Sequence, residues 1–223
     1  FAAKKFNEAE LIYPQSEWAA KSALMAGYSY YFQSYYGDAI YTLEQYILKY
    51  PKHKNLDYGH YLIAICYYEK IIDETKDLEA INKSKKKFEF IIKNYPNSDF
   101  AIDAIFKVEL IDNILAAKEM YIARHYMKKK KWIPAINRMK KIVNTYDRTV
   151  YVEEALLRIV EIYYKIGLIE ESKKYAILLG YNYQSSEWYK QSYLIFNKNY
   201  ENPMKKIKKN KKKQIFKKLK TIF

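Results

Sequence analysis

The sequence predicts an all-α fold, an α-solenoid of about five helical hairpins with one elongated helix. Three observations lead there. Apolar residues recur at helical period, while Gly and Pro number only five each in 223 residues, too few for a turn-rich β fold. A short tyrosine-led motif returns along the chain as Tyr13-Pro14-Gln15-Ser16, Tyr50-Pro51-Lys52-His53, Tyr95-Pro96-Asn97-Ser98, Tyr146-Asp147-Arg148-Thr149 and Tyr183-Gln184-Ser185-Ser186. Its tyrosines are 37, 45, 51 and 37 residues apart, the range of arrays whose hairpins bury their apolar faces only by stacking on a neighbour.

Each motif reads as a hinge. Pro lacks an N–H and pushes the residue before it out of the α region, which ends a helix, and the Ser or Thr two residues on can cap the next one. The hinges divide residues 1–200, taken as one solenoid, into a partial unit 1–14, units 15–51, 52–96, 97–147 and 148–184, and a terminal helix; residues 201–223 form a basic extension. In 15–51 the apolar runs Ala23, Ala26, Gly27, Tyr30, Tyr31 and Ala39, Ile40, Leu43, Ile47 are helical faces, and Tyr36-Gly37-Asp38 between them reads as the hairpin turn. The eight residues added in 52–96 are placed in the loop between its two helices by the charged segment Asp73–Asp77. The 14 added in 97–147 make about four turns, and Ser98–Lys129 contains neither Gly nor Pro, so this stretch reads as one long helix.

The units resemble the tetratricopeptide repeat, which has a small residue where its first helix touches its neighbour, an aromatic one turn on, a small residue early in the second helix and a closing Pro. Gly27, Tyr30, Ala39 and Pro51 supply these in one unit; Ala123, Tyr126 and Ala135 in another, with Asp147 for Pro; Val160, Tyr163 and Ser172 in the last, with Gln184 for Pro.

The formal charge of +15 is unevenly placed. Residues 203–223 carry ten Lys and no acid, leaving about +5 on the body. Cys66 is the sole cysteine, which excludes an intramolecular disulfide and a cysteine-built metal site. No apolar run is long enough to span a bilayer as a helix. His53, His60 and His125 lack metal-ligand spacing, and there is no phosphate-binding Gly loop, nucleophile elbow or marked carboxylate pair. Neither an enzyme nor a cofactor is expected. The first residue is Phe1, consistent with a leader, anchor or first helix preceding it.

Phe88–Ser98, Tyr50-Pro51-Lys52-His53 with Asp57-Tyr58, the long helix, and Trp132-Ile133-Pro134-Ala135-Ile136-Asn137-Arg138 together resemble the BamD lipoprotein family over most of residues 1–190. The resemblance implies a five-repeat protein on the periplasmic face of the outer membrane of a Gram-negative bacterium. A lipid anchor outside these residues would tether it, and residues 1–12 would be the second helix of the first repeat. Its partners would be the barrel-forming subunit and other members of the β-barrel assembly complex, bound through the C-terminal repeats, and unfolded outer-membrane proteins, received by the N-terminal repeats. Lys54 and Asp147 stand where the family has Pro, and the basic tail lies outside its pattern.

The family pattern puts an Arg at Arg138 that grips the barrel subunit, a role suited to a planar fork that binds carboxylates bidentately. Tyr126, Trp132 and Arg138 are the interface candidates, Trp132 serving equally as an anchor or as a cap on the repeat core. Tyr28, Tyr31, Tyr35 and Tyr61 are candidates for a groove taking extended amphipathic segments, while Tyr30 and Tyr67 fall at the core position. In the tail, Lys212, Lys213, Phe216, Lys217 and Leu219 belong to an apolar stripe flanked by lysines that fits an anionic membrane or an acidic partner, or a plain basic extension. The alternative reading is a repeat scaffold of another assembly with a basic tail binding nucleic acid or an anionic membrane; with only Phe216 and Phe223 to stack on bases, the tail matches nucleic acid poorly and none is expected as a partner.

Overall fold

The computed structural model describes residues 1–71 and 78–197, and among these it contains ten helices and no strand. They are α1 (Ala2–Ile12), α2 (Glu17–Phe32), α3 (Tyr36–Lys49), α4 (Leu56–Glu69), α5 (Leu78–Asn94), α6 (Asp99–Lys128), α7 (Trp132–Thr145), α8 (Val152–Lys165), α9 (Ile169–Asn182) and α10 (Glu187–Phe196). The fold is all-α, of helical-repeat type. The elongated helix expected over Ser98–Lys129 is α6, with 30 residues.

The five hinges share one conformation. At each, the Tyr N–H closes the preceding helix on the carbonyl four residues back: Tyr13 on Ala9, Tyr50 on Tyr46, Tyr95 on Ile91, Tyr146 on Ile142, Tyr183 on Leu179. Each Tyr carbonyl then accepts the N–H three residues on, from Ser16, His53, Ser98, Thr149 and Ser186, at 3.0–3.1 Å. Asp147 and Gln184 make the same turn without Pro, because the second position of such a turn needs only the φ that Pro fixes and other residues reach. Capping is less uniform. Ser98 and Ser186 accept backbone N–H groups from Phe100 and Tyr189, whereas the Thr149 hydroxyl donates back to the Tyr146 carbonyl and Ser16 makes no side-chain cap.

The turns inside the hairpins also repeat. Tyr35, Lys131 and Leu168 donate to the carbonyls of Tyr30, Tyr126 and Tyr163, and the residue before each donor is left-handed: Ser34 (φ 62°), Lys130 (57°) and Gly167 (86°). The turn expected at Tyr36-Gly37-Asp38 is therefore displaced; those residues open α3. Gly37 misled because Gly favours left-handed backbone, whereas here a serine takes that conformation.

The chain divides into two compact units, Phe1–Lys118 and a second beginning at Glu119, so the division falls inside α6. In the first, α1 to α5 pack each on the next, and α2, α3 and α4 bury a cluster of Ala23, Leu24, Ala39, Ile40, Leu43, Tyr46, Ile63 and Cys66. In the second, α8 contacts α7, α9 and α10 and is buried on several faces through Ala155, Leu156, Leu157, Ile159 and Val160. The small residues of the repeat pattern are all buried: Ala39, Ser84, Ala135 and Ser172 in the second helices, Gly27, Ala64, Ala123 and Val160 in the first. Where that small residue is serine its hydroxyl needs a partner, and it finds the first helix: Ser84 Oγ donates to the Ala64 carbonyl (3.1 Å) and Ser172 Oγ to that of Val160 (2.8 Å).

Candidate binding surfaces

In the first unit, tyrosines from the first helices of successive repeats form an aromatic row. Tyr28 and Tyr31 on α2 lie with ring centroids 6.3 Å apart, Tyr28 also meets Phe32, and Tyr31 meets Tyr36. On α4, Tyr58 and Tyr61 each lie 5.0 Å from the Phe100 ring of α6, and Tyr61 meets Phe88 edge-on. Tyr58 faces Tyr28 and Tyr31; burial first, and then these two neighbours, push its hydroxyl pKa up. One ring of the row is oriented by a carboxylate. The Tyr61 hydroxyl donates to Asp103 Oδ2 at 2.6 Å and is held protonated by burial and by this bond, and Ser98 Oγ donates to Asp57 Oδ2 at 2.6 Å. Tyr28, Tyr31, Tyr58 and Tyr61 are half-buried, so each shows part of a ring while its position is fixed. Tyr35 stands apart in the turn before α3, 57% exposed.

Sequence reasoning missed Phe100, the ring that joins Tyr58 to Tyr61. A signal was present: Trp18, Phe100, Tyr151 and Trp188 all fall two residues after the hinge Ser or Thr. Trp18 carries Lys21 over its ring at 4.9 Å, and Arg158 lies 5.8 Å from the ring of Trp188.

In the second unit the interface candidates do not share a partner. Trp132, half-buried at the start of α7, has Lys165 Nζ of α8 4.8 Å above its ring. Tyr126 packs edge-on to His125. Arg138 lies six residues beyond Trp132 on α7, about a third of a turn away around the helix. Its Nη1 donates to Glu119 Oε2 of α6 (3.0 Å), and Lys141 Nζ donates to Glu119 Oε1 (2.6 Å). Glu119 is 7% exposed; burial pushes its pKa up, but the bonds from Lys141 and Arg138 outweigh this and hold it below the usual carboxylate value. A second cluster joins Arg124, which forks onto Glu154, to Arg158, which pairs with Glu161.

Lys212, Lys213, Phe216, Lys217 and Leu219 lie outside the described residues. Among the described residues no helix is long and apolar enough to cross a membrane, and no group of His, Cys, Asp and Glu is arranged to hold a metal ion. Cys66 is buried, and burial together with Glu69 pushes its thiol pKa up to about 12, which leaves it unreactive.

These features define a helical-repeat protein with an aromatic row in one unit and a carboxylate-held arginine in the other. Residues 1–178 match the YfiO family, described as an outer membrane lipoprotein. Relatives named outer membrane protein assembly factor BamD are 38% identical over 194 residues in Caulobacter vibrioides, 39% over 201 in Rickettsia prowazekii and 32% over 174 in Neisseria gonorrhoeae. These alignments cover 87%, 90% and 74% of this chain and 64%, 80% and 65% of the respective relatives. The chain belongs to this outer membrane lipoprotein family, the BamD family, whose members are non-enzymatic.

Proposed function

We propose that this chain is a non-enzymatic scaffold of the outer-membrane β-barrel assembly machinery, acting at the periplasmic face of the membrane. Its second unit binds the periplasmic domain of the barrel-forming subunit, with Arg138 as the main contact and Trp132 and Tyr126 as further ones. Its first unit receives unfolded outer-membrane protein segments along Tyr28, Tyr31, Tyr35 and Tyr61. A lipid anchor carried outside residues 1–223 fits the family's description as lipoproteins. The observation carrying this reading is the shared family over residues 1–178, with relatives named as assembly factors. The aromatic row supports the substrate part, since tyrosine rings give apolar contact and a polar tip without demanding one sequence.

The test is to mix the purified chain with the periplasmic domain of the barrel-forming subunit from the same organism. A complex is expected, lost or weakened at least tenfold by Arg138→Glu. In the same preparation, a photo-crosslinker at Tyr35 should capture an unfolded outer-membrane protein more than one placed at Tyr181, which is 82% exposed in the other unit. Binding of the Arg138→Glu protein equal to the parent overturns the role of that residue, and equal crosslinking at both sites overturns the groove.

A further inference from the structure

Arg138 is not a free surface cation. It and Lys141 lie three residues apart on α7 and share a face, where two unscreened cations repel. Glu119 of α6 lies between them and gives one oxygen to each. The carboxylate side chain is 10% exposed, against 42% for Arg138 and 47% for Lys141, so the anion sits beneath and the cations face outward. The arrangement uses only the Arg138 Nη1 donor on Glu119. The other edge of the guanidinium, Nε with Nη2, is the geometry that takes a carboxylate bidentately. With one anion and two cations the site keeps a net positive charge.

We infer that Glu119 is a positioning residue: it holds Arg138 in the orientation that meets a carboxylate of the partner, and separates it from Lys141. The inference rests on the proposed role of Arg138 and adds a residue that the partner does not touch. It makes a prediction of unusual sign. Replacing Glu119 by Gln adds a positive charge to the site, so binding governed by overall attraction to an acidic surface would tighten. Positioning requires the opposite, because an arginine released from its anchor must be ordered again on binding.

The experiment is a double-mutant cycle on the full chain, titrated with the periplasmic domain of the barrel-forming subunit by calorimetry, with thermal melts recorded for every variant. Arg138→Ala is expected to weaken binding at least tenfold and Glu119→Gln about fivefold. In the Arg138→Ala background Glu119→Gln should add less than a twofold change. Glu119→Asp keeps the charge with a shorter reach; it should fall between parent and Gln, and it carries the same cycle if the Gln variant does not fold. If Glu119→Gln binds as well as the parent or tighter while Arg138→Ala is weakened, the inference is overturned and the role of Arg138 stands. An equal loss from Glu119→Gln with and without Arg138 also overturns it, because the carboxylate then acts on the fold. Parent-like binding of Arg138→Ala overturns both.

Discussion

Gly27 and Gly37 invite the same substitution and should answer with opposite signs. Both lie in helices, α2 and α3, where Gly→Ala gains up to about 1 kcal/mol from propensity alone. Around Gly37 nothing lies within 4 Å of an added Cβ, so Gly37→Ala should stabilise by roughly 0.5–1 kcal/mol. At Gly27 the added carbon would stand 2.6 Å from both Cγ and Cδ2 of Leu43, about 1 Å inside ordinary carbon contact. Leu43 is fully buried among Ala39, Tyr46, Ile63 and Cys66 and has no open side to move toward. Overpacking of this kind costs about 1–3 kcal/mol, which exceeds the propensity gain and leaves a net loss of about 1 kcal/mol, reaching about 2. The two variants should therefore differ by about 2 kcal/mol, or roughly 4–8 °C in melting temperature for a chain of this size. Far-UV circular dichroism melts at matched concentration measure it. Gly59 extends the series, since its added Cβ would meet the buried Tyr46 ring at 2.8 Å. Gly180 should be milder, because the Tyr189 ring it would meet at 2.6 Å is only half-buried on α10 and can swing. A Gly27→Ala protein melting at or above the parent would show that close approach of α2 and α3 does not require glycine, and the reasoning would fail.

Two other perturbations test the turns and two half-buried histidines. Lys130 holds φ 57° in the turn after α6, where the equivalent residue between α8 and α9 is Gly167; Lys130→Gly should raise the urea midpoint by an amount matching about 0.5–1 kcal/mol, and no rise would mean the left-handed turn is unstrained. His53 Nδ1 is bonded to the Tyr46 hydroxyl at 2.6 Å, and the buried His60 Nδ1 atom has no hydrogen-bond partner among the described residues. Burial lowers both pKa values, helped by Lys54 and Lys87 respectively. A lowered folded-state value means that stability is complete above the unfolded pKa of about 6.5 and is lost as pH falls from there toward the folded values. Urea midpoints should drop over that window, and His60→Phe, which keeps a ring against Phe90 and Tyr95, should flatten the drop; an unchanged slope refutes it.

Much of this fold was legible because its signals are local. Each hinge is written in four consecutive residues, and its two backbone bonds recur even where Pro is replaced by Asp147 or Gln184. The elongated helix was legible for the same reason, because Ser98–Lys129 holds neither Gly nor Pro, whereas the segment Asp73–Asp77 lies outside the described residues. The Ser84–Ala64 and Ser172–Val160 bonds join equivalent positions of two hairpins, yet span 20 and 12 residues. The eight-residue difference lies between the bonded positions, so the longer connection leaves the helix contact unchanged. What was not legible is tertiary. Ser34 takes a conformation that glycine usually marks, and Gly37 three residues on drew the expected turn to the wrong place. Glu119 and Arg138 are 19 residues apart on different helices, and no spacing rule couples them. The Arg could be singled out by resemblance, whereas its anchor could be found only in the structure.

The same distinction separates the two surfaces in how they would recognise a partner. Along α2 and α4 the rings are fixed by neighbours at 5.0–6.3 Å and by the Tyr61–Asp103 bond, so ordering them on binding costs little. Rings already in place offer apolar area to any extended segment of suitable alternation, and so favour tolerance over selectivity. Arg138 is also fixed, but by a charge, and what it offers is one directed edge of a guanidinium. That edge rewards a carboxylate in one orientation and penalises an apolar group that would bury it unpaired. The proposed function, reception of unfolded segments by one surface and of the barrel-forming subunit by the other, calls for both kinds of surface. Separate units allow each to be tuned without altering the other, so Tyr61→Phe should leave the affinity governed by Arg138 unchanged.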